Sequence, residues 1–192
     1  MAKKIYKFID LFCGIGGFRI GLERNGGKCV FSSDIDMFAQ QTYRDNFGET
    51  PIGDITKVEA KDIPSFDILA AGFPCQPFSY AGLGKGFEDQ TRGTLFFDVC
   101  RILAYHKPKM FFLENVKGLV SHNKGNTLKV ILENLKNLGY DVHWKVLSSL
   151  DFGVPQKRER WYCVGFDKKV DFEFPKPLGT NPLLRDIVDI ND

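Results

Sequence analysis

A cysteine framed by two prolines, in the stretch GFPCQPFSYAGLGKGF (72–87), is the residue of this 192-residue chain best suited to chemistry. Pro74 and Pro77 restrict the backbone on both sides of Cys75, which holds its thiol in one direction. A cysteine thiol is a strong soft nucleophile even where only a small fraction of it is ionised. The glycines that follow favour a loop able to move. The alternative is a small buried hydrophobic cysteine, a role for which a Pro-Cys-Gln-Pro loop is unusual.

A carboxyl group and a pair of guanidinium groups are the other candidates for catalysis. Glu114 follows the apolar residues of KMFFLEN (109–115), where poor solvation raises the pKa of a carboxyl group toward that of a general acid. Arg158 and Arg160 lie two residues apart in PQKRERW, so both face one way if the chain is extended there. Such a pair could bind a carboxylate, a phosphate or a base edge. A loop-capping glutamate and a solvated charged edge are the alternatives.

Two strand ends carry features of a nucleoside site. The stretch DLFCGIGGF places Gly14, Gly16 and Gly17 in a turn before a helix, where the backbone can approach a ligand closely. The pattern is G-x-G-G rather than G-x-G-x-x-G, so it does not favour phosphate binding, and a tight structural turn is the alternative. Asp34 ends the next strand and could accept hydrogen bonds from ribose hydroxyls. Together they favour S-adenosylmethionine as the cofactor; Asp54, in GDIT, adds a carboxylate that could equally cap a loop.

Alternating strand and helix patterns must position these groups. The strands are predicted at residues 6–12, 28–34, 66–72, 109–115, 141–149 and 160–166. The helices are predicted at residues 18–27 and 36–48, with two more marked by apolar spacing from Leu95 to Leu103 and from Leu128 to Leu138. This order predicts an α/β fold with a doubly wound, mostly parallel sheet whose late strands are antiparallel, because only a loop joins them. Ligands bind such sheets at the carboxyl ends of the strands.

Composition limits the class of protein. A hydrophobic content of 43% with 26% charged residues is ordinary for a globular domain. Five widely spaced cysteines without a CxxC pattern argue against both a disulfide framework and a zinc site, so we expect a reducing cytoplasm and no metal. The net charge of +2 is too small to indicate a nucleic-acid partner by itself.

Six motifs together resemble the bacterial DNA cytosine-5 methyltransferases of type II restriction-modification systems. The stretches FIDLFCGIGGFRIGL, GDIT, GFPCQPFSYAG, RGTLFFD, ENVKG and DFGVPQKRER occur in the order and approximate spacing of that family. PCQ and ENV together are highly specific. The resemblance implies a Rossmann-like domain that transfers a methyl group from S-adenosylmethionine to C5 of cytosine in double-stranded DNA.

The resemblance also implies a role for each site residue. Cys75 would attack C6 of a cytosine flipped out of the duplex, and Glu114 would protonate the ring at N3. Arg158 and Arg160 would steady the base and the covalent intermediate. Gln76 and Ser79 would lie near the DNA, in a loop of residues 76–93 that closes over it. The implied cofactor site comprises Phe12, Gly14, Ile15, Gly16, Gly17, Asp34, Ile35, Asp54, Ile55, Pro74 and Leu95.

Two departures from the family pattern shape the remaining expectations. Ile35 stands where related enzymes often carry an aromatic residue, so its contact with adenine would be apolar. The resemblance divides the chain into a catalytic domain (1–167) and a tail (168–192) that leads toward a target-recognition region and a closing Gly-Asn motif absent from the sequence. We therefore expect the larger subunit of a split enzyme, with a second polypeptide supplying recognition. A methyltransferase acting on tRNA cytosine and a non-catalytic S-adenosylmethionine-binding remnant or regulator remain alternatives.

Overall fold

The computed structural model describes residues 5–74 and 95–188, so the predicted residues Cys75, Gln76 and Ser79 lie outside the described part of the chain. The strands are β1 (Tyr6–Leu11), β2 (Gly27–Ser33), β3 (Ile68–Ala71), β4 (Met110–Val116), β5 (Asp141–Ser148) and β6 (Glu159–Phe166). The helices are α1 (Gly17–Arg24), α2 (Met37–Phe47), α3 (Leu95–His106) and α4 (Asn126–Asn137). Each predicted strand and helix is confirmed to within a few residues. Across the described ranges, no helix is both long enough and apolar enough to cross a membrane.

The strands form one mixed sheet in the order β2-β1-β3-β4-β6-β5. Strands β1 to β4 are parallel, whereas β6 is antiparallel to both β4 and β5, which confirms the predicted antiparallel arrangement of the late strands. The last strand thus lies between the two that precede it. Because β6 runs in the opposite direction, its first residues lie beside the last residues of β4, at the edge where parallel α/β sheets bind ligands.

Each face of the sheet is covered by a pair of helices. The core between the sheet and helices α3 and α4 is built from alternate strand residues and apolar helix residues, including Ile9, Leu11, Leu69, Leu113, Val99, Ile102, Ile131 and Leu135. On the opposite face, Arg19 of α1 is buried and donates to the Tyr43 hydroxyl of α2 at 3.3 Å. Its guanidinium also pairs with Glu49 at 2.9 Å and lies over the ring of Phe47. Arg19 therefore holds the two helices together where they meet the glycine turn.

The chain after β6 makes contacts near both ends of β5. The Val170 amide donates to the Asp141 carboxylate at the start of β5, and the Leu178 amide donates to the Asp151 carbonyl just beyond its end. The ring of Phe172 packs against Phe166 between these two points. The division between a catalytic domain and a tail at residue 167 stays a prediction.

Candidate active site

The turn between β1 and α1 is built from backbone conformations that most residues avoid. Phe12, Gly14 and Gly16 have φ angles of 54°, 53° and 95°, all in the left-handed region. Phe12 has a side chain and is therefore strained, a state that the surrounding structure must enforce. An added Cβ at Gly16 would overlap the ring of Phe47. The packing of α2 against the turn therefore requires glycine at this position.

Asp34 ties the end of β2 to this turn. One of its carboxylate oxygens accepts from the Gly14 amide at 2.7 Å, and the other accepts from the Asp36 amide at 2.9 Å. A carboxylate has about four lone-pair positions, so Asp34 can still accept hydroxyl donors from a ligand. Ile15 and Ile35 flank the carboxylate as exposed apolar side chains, with 59% and 71% of their surface accessible. The strand end thus offers acceptors and apolar surface together.

The other residues of the predicted cofactor site differ in what they can offer a ligand. Asp54 caps the following 3-10 turn, accepting from the amide and the hydroxyl of Thr56, and these hydrogen bonds lower the pKa of Asp54. The side chain of Ile55 is buried in the core, which leaves only its backbone for a ligand contact. Leu95 is half-buried at the start of α3, and Pro74, three residues after the end of β3, is exposed. The capping role left open for Asp54 is therefore observed.

Glu114 and Arg160 form an ion pair at the carboxyl end of β4. The Arg160 Nε lies 2.9 Å from the Glu114 Oε1, and about a fifth of each side chain is accessible. Burial raises the pKa of Glu114 above its usual value, and the charges of Arg160 and Arg158 lower it only in part. Arg158 itself is exposed just before β6. The structure thus brings both predicted arginines within electrostatic range of the predicted acid.

Gly72 lies beside Glu114 and has no side chain, a feature that the sequence motifs did not single out. Continuing the β3–β4 register places Gly72 next to Glu114. A Cβ added at Gly72 would lie 3.5 Å from the Glu114 Oε2 and 3.9 Å from the Phe12 carbonyl oxygen. The glycine turn and the acid therefore face each other across bare backbone. A glycine directly after a buried strand is the sequence signal for such a close approach.

Asn115 is a second residue that the sequence reasoning missed. Its side chain is buried; its amide nitrogen donates to the Phe73 carbonyl at 2.8 Å, and its amide oxygen accepts from the Val116 amide. Phe73 lies two residues before Cys75, so Asn115 anchors the chain that leads to the predicted nucleophile. The sequence signal for this role is an amide side chain at an inward-facing position of an apolar strand. A buried polar group needs a hydrogen-bond partner, so such a residue is expected to bind a neighbouring segment.

Asp10 is the most unusual buried group near the turn. It is fully inaccessible, and no side chain among the described residues donates a hydrogen bond to its carboxyl oxygens. Burial raises the pKa of Asp10 well above its usual value, an effect that Arg19 opposes and Asp34 reinforces. Burial therefore favours the neutral form of Asp10 beneath the glycine turn.

The buried acid predicts a distinctive pH dependence of stability. The native state keeps the Asp10 proton that the unfolded chain loses, so its contribution falls as pH rises from the unfolded pKa toward the folded one. Asp10→Asn should remove this decline, which for one proton is ~1.4 kcal/mol per pH unit. The measurement is urea unfolding of both proteins between about pH 5 and about pH 8. Asp45→Asn, at an exposed position on α2, is the control; parallel curves for wild type and Asp10→Asn would contradict the assignment.

The fold and the site define a class of protein. The sheet has an antiparallel strand near one edge, a glycine turn after β1 and an acid after β2, and its overall fold is similar to that of solved methyltransferase structures. The crystal structure of S. pombe Dnmt2 methyltransferase superposes with a TM-score of 0.74 at 25% sequence identity, covering 97% of this chain and 62% of that one. The predicted fold class, a Rossmann-like methyltransferase domain, is thereby confirmed.

Sequence comparison identifies the family within this class. Residues 6–191 match the family model for C-5 cytosine-specific DNA methylases. The chain is 59% identical over 189 residues to the Type II methyltransferase M.HaeII of Haemophilus aegyptius, covering 98% of this chain and 59% of that protein. It is 60% identical over 173 residues to M.MspI of Moraxella sp, covering 90% and 41%. The chain belongs to the C-5 cytosine-specific DNA methylase family, as its motifs predicted, and it spans between two fifths and three fifths of these relatives.

Proposed function

We propose that this chain is the cofactor-binding and catalytic part of an enzyme that transfers a methyl group from S-adenosylmethionine to C5 of cytosine in double-stranded DNA. The observation that carries the proposal is the Glu114–Arg160 pair, which lies beside Gly72 and close to the glycine turn. A carboxyl group with a raised pKa lies there at the same sheet edge as the glycine turn. Membership of the cytosine-specific family supports cytosine as the base.

The residues around the turn fit S-adenosylmethionine. Asp34 retains acceptor positions for ribose hydroxyls, and Ile15 and Ile35 offer exposed apolar surface to an adenine ring. The Phe12 carbonyl oxygen and the Glu114 Oε2 both lie within 4 Å of the position that a Cβ at Gly72 would take, so the turn and Glu114 are close in space. When bound, the cofactor supplies an electrophilic methyl group. Every other contribution must come from side chains of the protein or from the DNA base itself.

The chain's own residues would make C5 of the base nucleophilic. Cys75, whose role rests on the resemblance, forms a bond to C6 of the flipped cytosine. Glu114 donates its proton to N3, so the electrons of the C5=C6 bond become available at C5. Arg160 holds the Glu114 carboxyl by its hydrogen bond, and Arg158 adds positive charge next to it. After C5 has accepted the methyl group, loss of the C5 proton re-forms the C5=C6 double bond and releases the Cys75 thiolate from C6, and N3 returns its proton to Glu114.

Two further parts of the proposal rest on the resemblance and on cysteine chemistry. Gln76 and Ser79 are proposed to contact DNA from the loop that follows Cys75. The cytoplasm is the proposed location, since four cysteines of the described chain are buried as free thiols, namely Cys13, Cys29, Cys100 and Cys163.

A second polypeptide is proposed to complete the cofactor side of the domain. Exposed apolar side chains surround the end of β2, with Phe38 and Met37 accessible over 84% and 75% of their surface, next to Ile35 and Ile52. Contiguous apolar surface of this kind marks a site of interaction. The curated relatives are longer than the matched stretch, and the extra polypeptide is the cover that we propose. The same polypeptide would carry the residues that choose the DNA sequence.

The test is methyl transfer from labelled S-adenosylmethionine, with this chain alone and with a second polypeptide that carries a target-recognition region. The chain alone should bind cofactor weakly, associate readily and methylate DNA poorly, because its apolar surface is uncovered and its net charge of +2 gives few phosphate contacts. The second polypeptide should restore activity at defined cytosines. Parallel reactions with tRNA test the other substrate class. Sequence-specific methylation by the 192-residue chain alone would contradict this part of the proposal.

A further inference from the structure

Three aromatic rings lie on the face of the sheet that carries Glu114. Phe112 is two residues before Glu114 on β4 and shares its face. Tyr162 of β6 is the direct cross-strand partner of Glu114. Phe18, in the first turn of α1, packs edge-on against Phe112 at 5.0 Å between ring centres, and Phe112 lies 5.8 Å from Tyr162. We call Phe18, Phe112 and Tyr162 the aromatic shelf; it runs from the glycine turn to the strand that carries Arg160.

Aromatic residues lie on both sides of Glu114 in this arrangement. On the β6 side, Tyr162 directly opposes Glu114, and directly opposed residues of an antiparallel pair have Cβ atoms ~4.5–5.5 Å apart. On the β3 side, Gly72 has no side chain, and a Cβ added there would lie 3.5 Å from the Glu114 Oε2 and 3.9 Å from the Phe18 ring. The Glu114 carboxyl therefore lies between the two ends of the aromatic shelf, with 23% of its side chain accessible.

The charges that face Glu114 would ionise it if they acted alone. Arg160 and Arg158 both lower the pKa of Glu114, and Tyr162 is the titratable group on the opposing strand. Burial raises the pKa of the Tyr162 phenol, and the Glu114 charge raises it further, so this group stays neutral. Lys145, opposite Tyr162 on β5, is exposed. The opposing influence among the described residues is thus the apolar surface that removes water.

We propose that the aromatic shelf is a positioning device that favours the protonated form of the Glu114 carboxyl against the charges of Arg158 and Arg160, with the Tyr162 ring as its decisive member. The role of the shelf in catalysis rests on the proposed function, because Glu114 needs its proton only if it donates that proton to the cytosine ring. The shelf also links the two halves of the site: Phe18 belongs to the helix that follows the cofactor turn. A shift of α1 would therefore change the solvation of the acid.

A matched pair of substitutions separates the ring from the hydroxyl. Tyr162→Phe keeps the ring, whereas Tyr162→Thr removes it and retains a hydroxyl on a residue that suits a strand. The carboxyl carbon of Glu114 is followed by ¹³C NMR during a pH titration of the purified 192-residue chain, without DNA or cofactor. Tyr162→Thr should titrate at lower pH than wild type, and Tyr162→Phe should titrate with wild type.

The titration decides the shelf independently of the proposed function. If the chain fails to methylate DNA even with the second polypeptide present, but Tyr162→Thr still titrates at lower pH, the proposed function is wrong and the role of the shelf is supported. The proposal is wrong if Glu114 titrates in Tyr162→Thr at the same pH as in the wild type, or if Tyr162→Phe lowers that pH as much as Tyr162→Thr does. If Tyr162→Thr does not fold, Phe18→Ser removes the ring at the other end of the shelf. In that variant Glu114 should also titrate at lower pH than in the wild type. In the active enzyme, the fall of turnover at alkaline pH should begin at lower pH in Tyr162→Thr than in the wild type. Beyond that point the rate should fall ~10-fold for each further pH unit.

Discussion

Cys75→Ser is expected to abolish methyl transfer to DNA while leaving S-adenosylmethionine binding nearly unchanged. A serine hydroxyl is a far weaker nucleophile than a thiol unless a base activates it, so the bond to C6 of the cytosine would not form. Cofactor binding depends on the turn after β1 and on Asp34, which lie on other elements. Methyl transfer from labelled cofactor and cofactor binding by calorimetry measure the two effects separately, with any needed second polypeptide present.

Covalent trapping gives the sharper readout for this nucleophile. DNA that carries 5-fluorocytosine cannot lose a C5 proton, so the protein should stay attached to it once the methyl group has moved. Cys29→Ser is a matched control: the Cys29 thiol already hydrogen-bonds the Phe31 carbonyl at 3.4 Å, a contact that a hydroxyl can replace. Trapping should be lost in Cys75→Ser and kept in the control. Trapping that survives the Cys75 change would remove this residue from the role.

Glu114→Gln is expected to lower turnover by ~10²–10⁴-fold, the usual contribution of general acid catalysis, with a modest change in DNA affinity. The amide oxygen of glutamine can still accept from the Arg160 Nε, so the ion-pair geometry has a substitute, but the amide cannot supply a proton. In the wild type, turnover should fall as pH rises through the raised pKa of Glu114. That limb should be missing from the variant.

Stability gives an independent check on the same residue. Because the folded pKa of Glu114 is raised, the native state favours the protonated form, and this contribution is lost as pH rises through the folded value. Glu114→Gln should therefore unfold at a temperature no lower than wild type near neutral pH. Glu159→Gln is the control on the same strand as Arg160, since its exposed pair with Lys117 contributes little. Unchanged turnover in Glu114→Gln would make the glutamate a structural residue.

The chemistry of the site was readable from the chain because motifs report residue types and their order. The glycines after β1, the acid after β2 and Glu114 after an apolar run all follow strands whose type was evident from local patterns. Since parallel strands present their carboxyl ends at one edge, those residues were predicted to meet without any knowledge of strand order. The order of the motifs was also sufficient to predict the family.

Only the tertiary structure decided which of these groups touch. Periodicity reports the face of a strand but not its neighbours; the insertion of β6 between β4 and β5 is what sets Arg160 and Tyr162 against Glu114. Ile55 occurs in the same motif as Asp54, yet its side chain turns into the core. Asp10 resembles any strand residue in the sequence, yet it is fully buried close to Arg19 of α1 and Tyr43 of α2. Solvation and pairing are set by contacts between residues distant in the chain, and local sequence patterns carry no record of those contacts.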